Sequence, residues 1–216
     1  IYDQAFEWRF EFPALLDEKG NFTGFDIVIG KPPYVLVQTF NNPALENLYK
    51  NKYEVASYKI DLYHLFLEAG YNLLCNNGVL SFINPTTFLT NNYTQPLRDL
   101  LLYRTIILSI INIGDNVFDA SVNTGIEIIK KGLKEDNTLN YYYAEYENDK
   151  LSVKMISSVQ QRDYLKAEKH IIQPITSNES YYLSHKIENK AELLKEYASV
   201  NFGMHLRNRK IFTNDV

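Results

Sequence analysis

The run Phe25-Asp26-Ile27-Val28-Ile29-Gly30-Lys31-Pro32-Pro33-Tyr34 sets a short apolar segment directly before two prolines and an aromatic ring. Its first six residues, rich in β-branched side chains, read as a buried strand. The prolines stop that strand sharply, since neither carries a backbone N–H and both fix φ. In open α/β sheets ligands bind beyond the carboxyl ends of strands. A loop fixed in advance at such an end can aim its carbonyl oxygens without an entropic penalty at binding. Read alone, Pro32-Pro33-Tyr34 is also an ordinary strand-to-loop break, with Tyr34 capping the core. Asp61 has two readings as well: a charge at a helix amino terminus, favourable with the dipole, or a contact to a cofactor or a loop. Asp26 and Glu127 read as solvated strand-end charges. His64, His170, His185 and His205 show no metal-ligand spacing with one another or with Cys75, so no metal site is expected. Near the carboxyl end, Arg207, Arg209 and Lys210 form the strongest basic cluster, suited either to DNA phosphates or to a solvated surface.

These residues need elements to position them. Phe6, Trp8, Phe10 and Phe12 alternate with charged residues, a period of two that predicts an extended edge segment ended by Pro13. Leu62, Leu65, Phe66, Ala69, Leu73 and Leu74 recur at helical spacing, and Asn76-Asn77-Gly78 supplies the stop. Val79–Ile83 predicts a second strand ended by Asn84-Pro85. Pro96 behind Thr94 marks the first turn of another helix running to about Tyr103, and Ile106–Ile113 a third strand. Strand, helix, strand, helix, strand implies a parallel sheet covered on both faces. Gly125–Ile129 and Leu139–Tyr146, flanking a polar turn, predict an antiparallel hairpin. Beyond about Ser157 the pattern loosens, with one further helix expected near Tyr181–Lys190.

Composition sets outer limits. The chain has 216 residues with 45% hydrophobic and 14% aromatic content, enough for one sizeable core with an appendage. The amino terminus lacks the pattern of a secretory signal, and no apolar stretch is long enough to span a bilayer as a helix. The single cysteine, Cys75, cannot form an internal disulfide and reads as core filler in a reducing cytoplasm. A formal net charge of -4 argues against a generic nucleic-acid coat, which leaves local clusters to carry any contact with DNA.

The segment ending in Lys31-Pro32-Pro33-Tyr34 resembles the Asn-Pro-Pro-Tyr motif of amino-group DNA methyltransferases. The likeness extends through Asp61-Leu62-Tyr63, through Gly78–Pro85 with Phe88-Leu89, and through Val117–Thr124. In order and at this spacing the blocks resemble the large fused restriction and modification enzymes of type IIG. The resemblance implies a partial Rossmann-like sheet of the class I S-adenosylmethionine-dependent methyltransferases: an α/β fold keeping its later strands and a mixed edge, with the start of a target-recognition region. It divides the chain into residues 1–156, the later part of the catalytic domain, and 157–216, a linker and the beginning of target recognition. It further implies that a target adenine flips out of the duplex and its exocyclic amine attacks the methyl of S-adenosylmethionine. In that scheme the Asn side-chain oxygen and the carbonyl of Pro32 hold the amine's hydrogens. Pro33 stiffens the turn, Tyr34 stacks on the base, and Phe118 closes on its other side. Without the resemblance Phe118 reads as core filler.

One position departs from the family. Lys31 stands where the family has asparagine, and an ammonium offers three donors and no acceptor. It also sets a positive charge beside a nitrogen that becomes positive as the methyl transfers, which opposes transition-state stabilisation. Only a neutral amine can accept, and holding lysine neutral requires costly desolvation. Adenine methylation is therefore expected to be lost. The family's glycine-rich cofactor loop is not found in residues 1–30, which suggests an excised or truncated product with a bare sheet edge open to homodimerisation. Two other readings stay open: a non-catalytic DNA-recognition or scaffolding module, and methylation of a protein glutamine by a related loop. The length after the hairpin favours double-stranded DNA as the partner.

Overall fold

The structure, a computed structural model, describes residues 6–114, 122–147, 150–174, 186–187, 190–192 and 194–199. Six strands form one mixed sheet: β1 (Phe25–Gly30), β2 (Leu74–Pro85), β3 (Thr105–Gly114), β4 (Thr124–Lys131), β5 (Thr138–Glu147) and β6 (Lys150–Gln160). Their spatial order is β1-β2-β4-β3-β5-β6. β1 runs parallel to β2, and β4 is antiparallel to both β2 and β3, so β1, β2 and β3 share one direction with a reversed strand inserted between the last two. Helices α2 (Pro43–Lys52) and α3 (Leu62–Leu73) connect β1 to β2, and α4 (Gln95–Arg104) connects β2 to β3.

Register shows how the core is layered. Leu80, Ile129 and Ile107 lie in one row across the sheet, and Phe82, Glu127, Ile110 and Tyr141 in the next. All seven are buried, and α3 and α4 pack on this face. Gly70 lets α3 approach the sheet, since a β-carbon there would lie 2.4 Å from Leu80 Cδ1. Ser81, Ile83, Ile126 and Ile128 point the other way and remain partly exposed. Among the described residues, then, helices cover one face of the sheet and not both.

The hairpin expectation fails for a related reason. β4 does not pair with β5, because β3 lies between them, antiparallel to β4 and parallel to β5. The hairpin partner of β5 is β6, whose Lys-Leu-Ser-Val-Lys-Met alternation lies within a stretch from which no strand is predicted. A polar turn between two apolar runs does not say which neighbours the runs choose, and here both find better cover inside the sheet. The opening segment differs as well. Trp8–Glu11 is one helical turn, α1, with Glu7 as its cap. The aromatics gather on one another in place of alternating across a strand: Trp8 stacks on Phe12 at 5.8 Å, and both meet the edge of Phe25.

Asn76-Asn77-Gly78 ends α3 by an irregular excursion within β2. Phe25 pairs with Leu74 but Ile27 with Val79, so β2 carries the extra residues and Asn77 takes a positive φ of 67°. Cys75 lies half-exposed in this excursion with its thiol toward Asp26, and is not core filler.

The chain divides into two compact units, Ile1–Thr176 and Ser177–Val216. The expected boundary after residue 156 falls inside β6. Gln161 beyond it is buried, donating to the carbonyls of Leu102 and Thr105 and accepting from Ile107 N. Buried Arg98 ties the same region down, with Nη1 donating to Phe88 O and Asn91 O, and Nε and Nη2 to Lys169 O. In the second unit the described residues include a short turn at Leu194–Glu196. The helix expected over Tyr181–Lys190 falls largely outside the described residues. No helix among the described residues is long and apolar enough to cross a membrane.

Candidate functional site

The loop following β1 leaves the sheet at the carboxyl end of two parallel strands, Gly30 pairing with Phe82 of β2. Lys31 and Pro33 are exposed, Pro32 is buried and Tyr34 is half-buried. Tyr34 is held at both ends. Its hydroxyl donates to Ile83 O at 2.7 Å, and its ring meets Tyr63 edge-on at 6.1 Å between centroids. Burial, with the Glu127 carboxyl adding to it, pushes the Tyr34 hydroxyl up to about 12, so at neutral pH it remains a donor. The Lys31 ammonium lies 5.0 Å from the centre of the Tyr34 ring, within cation–π range.

The exit of the loop is stitched to the start of α3. Val35 N donates to Asp61 Oδ1 at 3.0 Å, Leu62 N to Val35 O at 2.9 Å, and Val37 N to Ile60 O at 2.9 Å. Asp61 is also the amino-terminal cap of α3, accepting from Tyr63 N at 3.4 Å, while His64 Nδ1 accepts from Asp61 N at 3.3 Å. One carboxylate thus satisfies the first turn of a helix and the backbone of the motif loop together. Desolvation raises its pKa, against the lowering effect of these N–H donors. The His64 ring is buried with Nε2 unpartnered, and burial pushes it down to about 4.

Beyond β2 the remaining blocks join. Tyr63 Oη lies 3.4 Å from Thr87 Oγ1, and Thr86 N donates to Asn123 O at 2.9 Å, with Thr86 Oγ1 on Asn123 Oδ1 at 3.1 Å. Residues 31–35, 61–64, 83–88 and 123–124, separate in the chain, therefore meet at one end of the sheet. Phe118 lies outside the described residues. Arg207, Arg209 and Lys210 lie outside them too.

The geometry corrects one reading and adds a pair. Glu127 is no solvated strand-end charge: it is 2% exposed, in the row between Phe82 and Ile110, and accepts from Nδ2 of Asn84, which is fully buried. Burial pushes its carboxyl up to about 8. A period-two reading contains the signal, because Gly125, Glu127 and Ile129 share a face and Ile129 is core. Among the described residues no cluster of His, Cys, Asp and Glu is arranged to hold a metal.

Comparison with known proteins gives a consistent set. A family model described as Eco57I restriction-modification methylase matches residues 1–118. The type II restriction enzyme and methyltransferase RM.Eco57I of Escherichia coli is 31% identical over 94 residues, covering 43% of this chain and 9% of that protein. The type II methyltransferase M.BanIII of Aneurinibacillus aneurinilyticus is 27% identical over 154 residues, covering 64% of this chain and 26% of that protein. The chain thus spans about a quarter or less of the length of these relatives. The crystal structure of the type IIG restriction endonuclease BpuSI superposes with a TM-score of 0.52 at 15% identity, covering 76% of this chain and 22% of that one, a likeness of fold.

Proposed function

We propose, from the premise that this chain belongs to the Eco57I restriction-modification methylase family, that the loop Lys31–Tyr34 is the base-binding site of a site-specific DNA adenine-N6 methyltransferase. One observation carries the proposal: the sequence blocks that resemble the family's motifs converge at the carboxyl end of β1 and β2, where α/β sheets bind their ligands. S-adenosylmethionine supplies the methyl group in this reading. Asp61 Oδ1 is already engaged by the loop and the helix, accepting from Val35 N and Tyr63 N, and is not available to hold it. We assign Asp61 to holding the loop.

What the chain's own residues do follows from their placement. A flipped adenine lays its ring on Tyr34, which is fixed by its hydroxyl bond and by Tyr63 against rotating away. The Pro32 carbonyl accepts one hydrogen of the exocyclic amine. The second acceptor is the side chain at position 31, and an ammonium cannot supply it. Instead the Lys31 cation sits by the ring face of Tyr34, beside the place the base requires. The Lys31 chain is accordingly inactive or nearly so in adenine methylation. The segment beyond the first unit, with Arg207, Arg209 and Lys210, contributes to contact with double-stranded DNA, and the protein acts in the cytoplasm.

Product identity is the test. The full-length protein, with Lys31 and as Lys31→Asn, is expressed in a host lacking adenine methylases, and its DNA is digested to nucleosides for mass spectrometry. N6-methyl-2′-deoxyadenosine from Lys31→Asn and none from Lys31 is the expected pattern. Methylation of cytosine, or of protein glutamine without DNA, overturns the assignment.

A further inference from the structure

A buried carboxyl in the middle of an apolar row is costly unless something depends on it. Glu127 lies on β4 with Phe82 and Ile110 as its cross-strand neighbours, and Asn84 is one position diagonally along β2 on the same face. Asn84 Nδ2 donates to Glu127 Oε1, while Asn84 Oδ1 is buried with no partner. A core built only for stability would fill these two places with apolar side chains. The pair also stands one residue from the Ile83 carbonyl that receives the Tyr34 hydroxyl. Tyr34 and Tyr63 both feel the Glu127 carboxyl, so it lies within electrostatic reach of the two hydroxyls beside the motif loop.

We propose that Asn84 and Glu127 form a positioning pair for Tyr34: by locking the last residues of β2 they fix the Ile83 carbonyl, and through it the angle at which the Tyr34 ring meets its ligand. That the ligand is a nucleobase rests on the function proposed above; the coupling between the pair and Tyr34 does not. The carboxyl is pushed up to about 8 by burial, so it is mainly neutral at pH 7 and hydrogen-bonds as an acid. Ionisation above that pH puts a charge within reach of both tyrosines. The titratable groups facing it are Tyr34 from the motif loop, Tyr63 from α3 with Asp61 at its cap, and Tyr141 further along the row on β5.

The experiment places 3-fluorotyrosine at position 34 of the full-length protein and follows its fluorine resonance by NMR. In the unmodified background the resonance is expected to move with a midpoint near pH 8. Glu127→Gln, which keeps the acceptor and removes the titration, should hold the neutral-pH position at every pH. Glu127→Leu and Asn84→Leu should shift or broaden it at neutral pH. A folded Glu127→Leu protein with an unchanged resonance, or a titration near pH 8 that persists in Glu127→Gln, overturns the proposal. Coupling seen by NMR with no methyl transfer from the Lys31→Asn protein supports the pair's role and counts against the function instead.

Discussion

Asp61 shows how much one side chain can carry. Its carboxylate caps α3 and holds the backbone N–H of Val35 at the end of the motif loop, so replacing it removes two supports at once. Asp61→Ala is expected to lower stability by about 1–3 kcal/mol, a lost cap plus a backbone donor left unpaired. Chemical denaturation of the first unit checks this, and Asp61→Asn, which keeps an acceptor oxygen, should lose less. Tyr34→Phe removes the hydroxyl with its bond to Ile83 O and should lower stability by about 0.5–1.5 kcal/mol. At this scale the sequence was uneven as a guide. Lys31 was legible because the motif around it states what should stand there. Glu127 was misread because a charge beside isoleucines looks like a strand end, until its register neighbours on β2 and β3 are known.

The elements packed around the loop make stability depend on pH in two opposite senses. His64 caps α3 as a neutral ring, accepting at Nδ1, and its folded pKa of about 4 lies below the ordinary 6.5. A histidine lowered in this way contributes stability above pH 6.5 that is lost as pH falls toward 4. Glu127 in β4 has the reverse sign: its folded value near 8 lies above 4.5, so its contribution is full below pH 4.5 and is lost as pH rises through 8. Thermal unfolding followed from pH 4 to 9 should show the acid loss removed by His64→Gln and the alkaline loss removed by Glu127→Gln. Curves unchanged by both substitutions would sink this account of the two buried groups. Elements whose periodicity was strong, β1, α3, β2, α4 and β3, were visible in the sequence. The partners of β4 and β5 were not, since strand pairing across the chain is settled by which faces need cover, and no local pattern records that.

At the scale of the whole chain, β1 is the last strand of the sheet among the described residues, and its Ile27 and Ile29 are 69% and 79% exposed. An edge strand offers backbone N–H and C=O groups to a further strand, and a second copy of this chain is the expected partner. Sedimentation should show concentration-dependent dimers that Ile29→Lys disrupts. The relatives are longer than this chain, since the matched stretch is 9% of RM.Eco57I and 26% of M.BanIII. The central claim concerns position 31, and tritiated methyl transfer to DNA by the full-length protein tests it most directly. The Lys31→Asn protein should exceed the Lys31 protein by at least about a hundredfold, the scale on which one transition-state hydrogen-bonding group acts. Equal transfer by the two would contradict it.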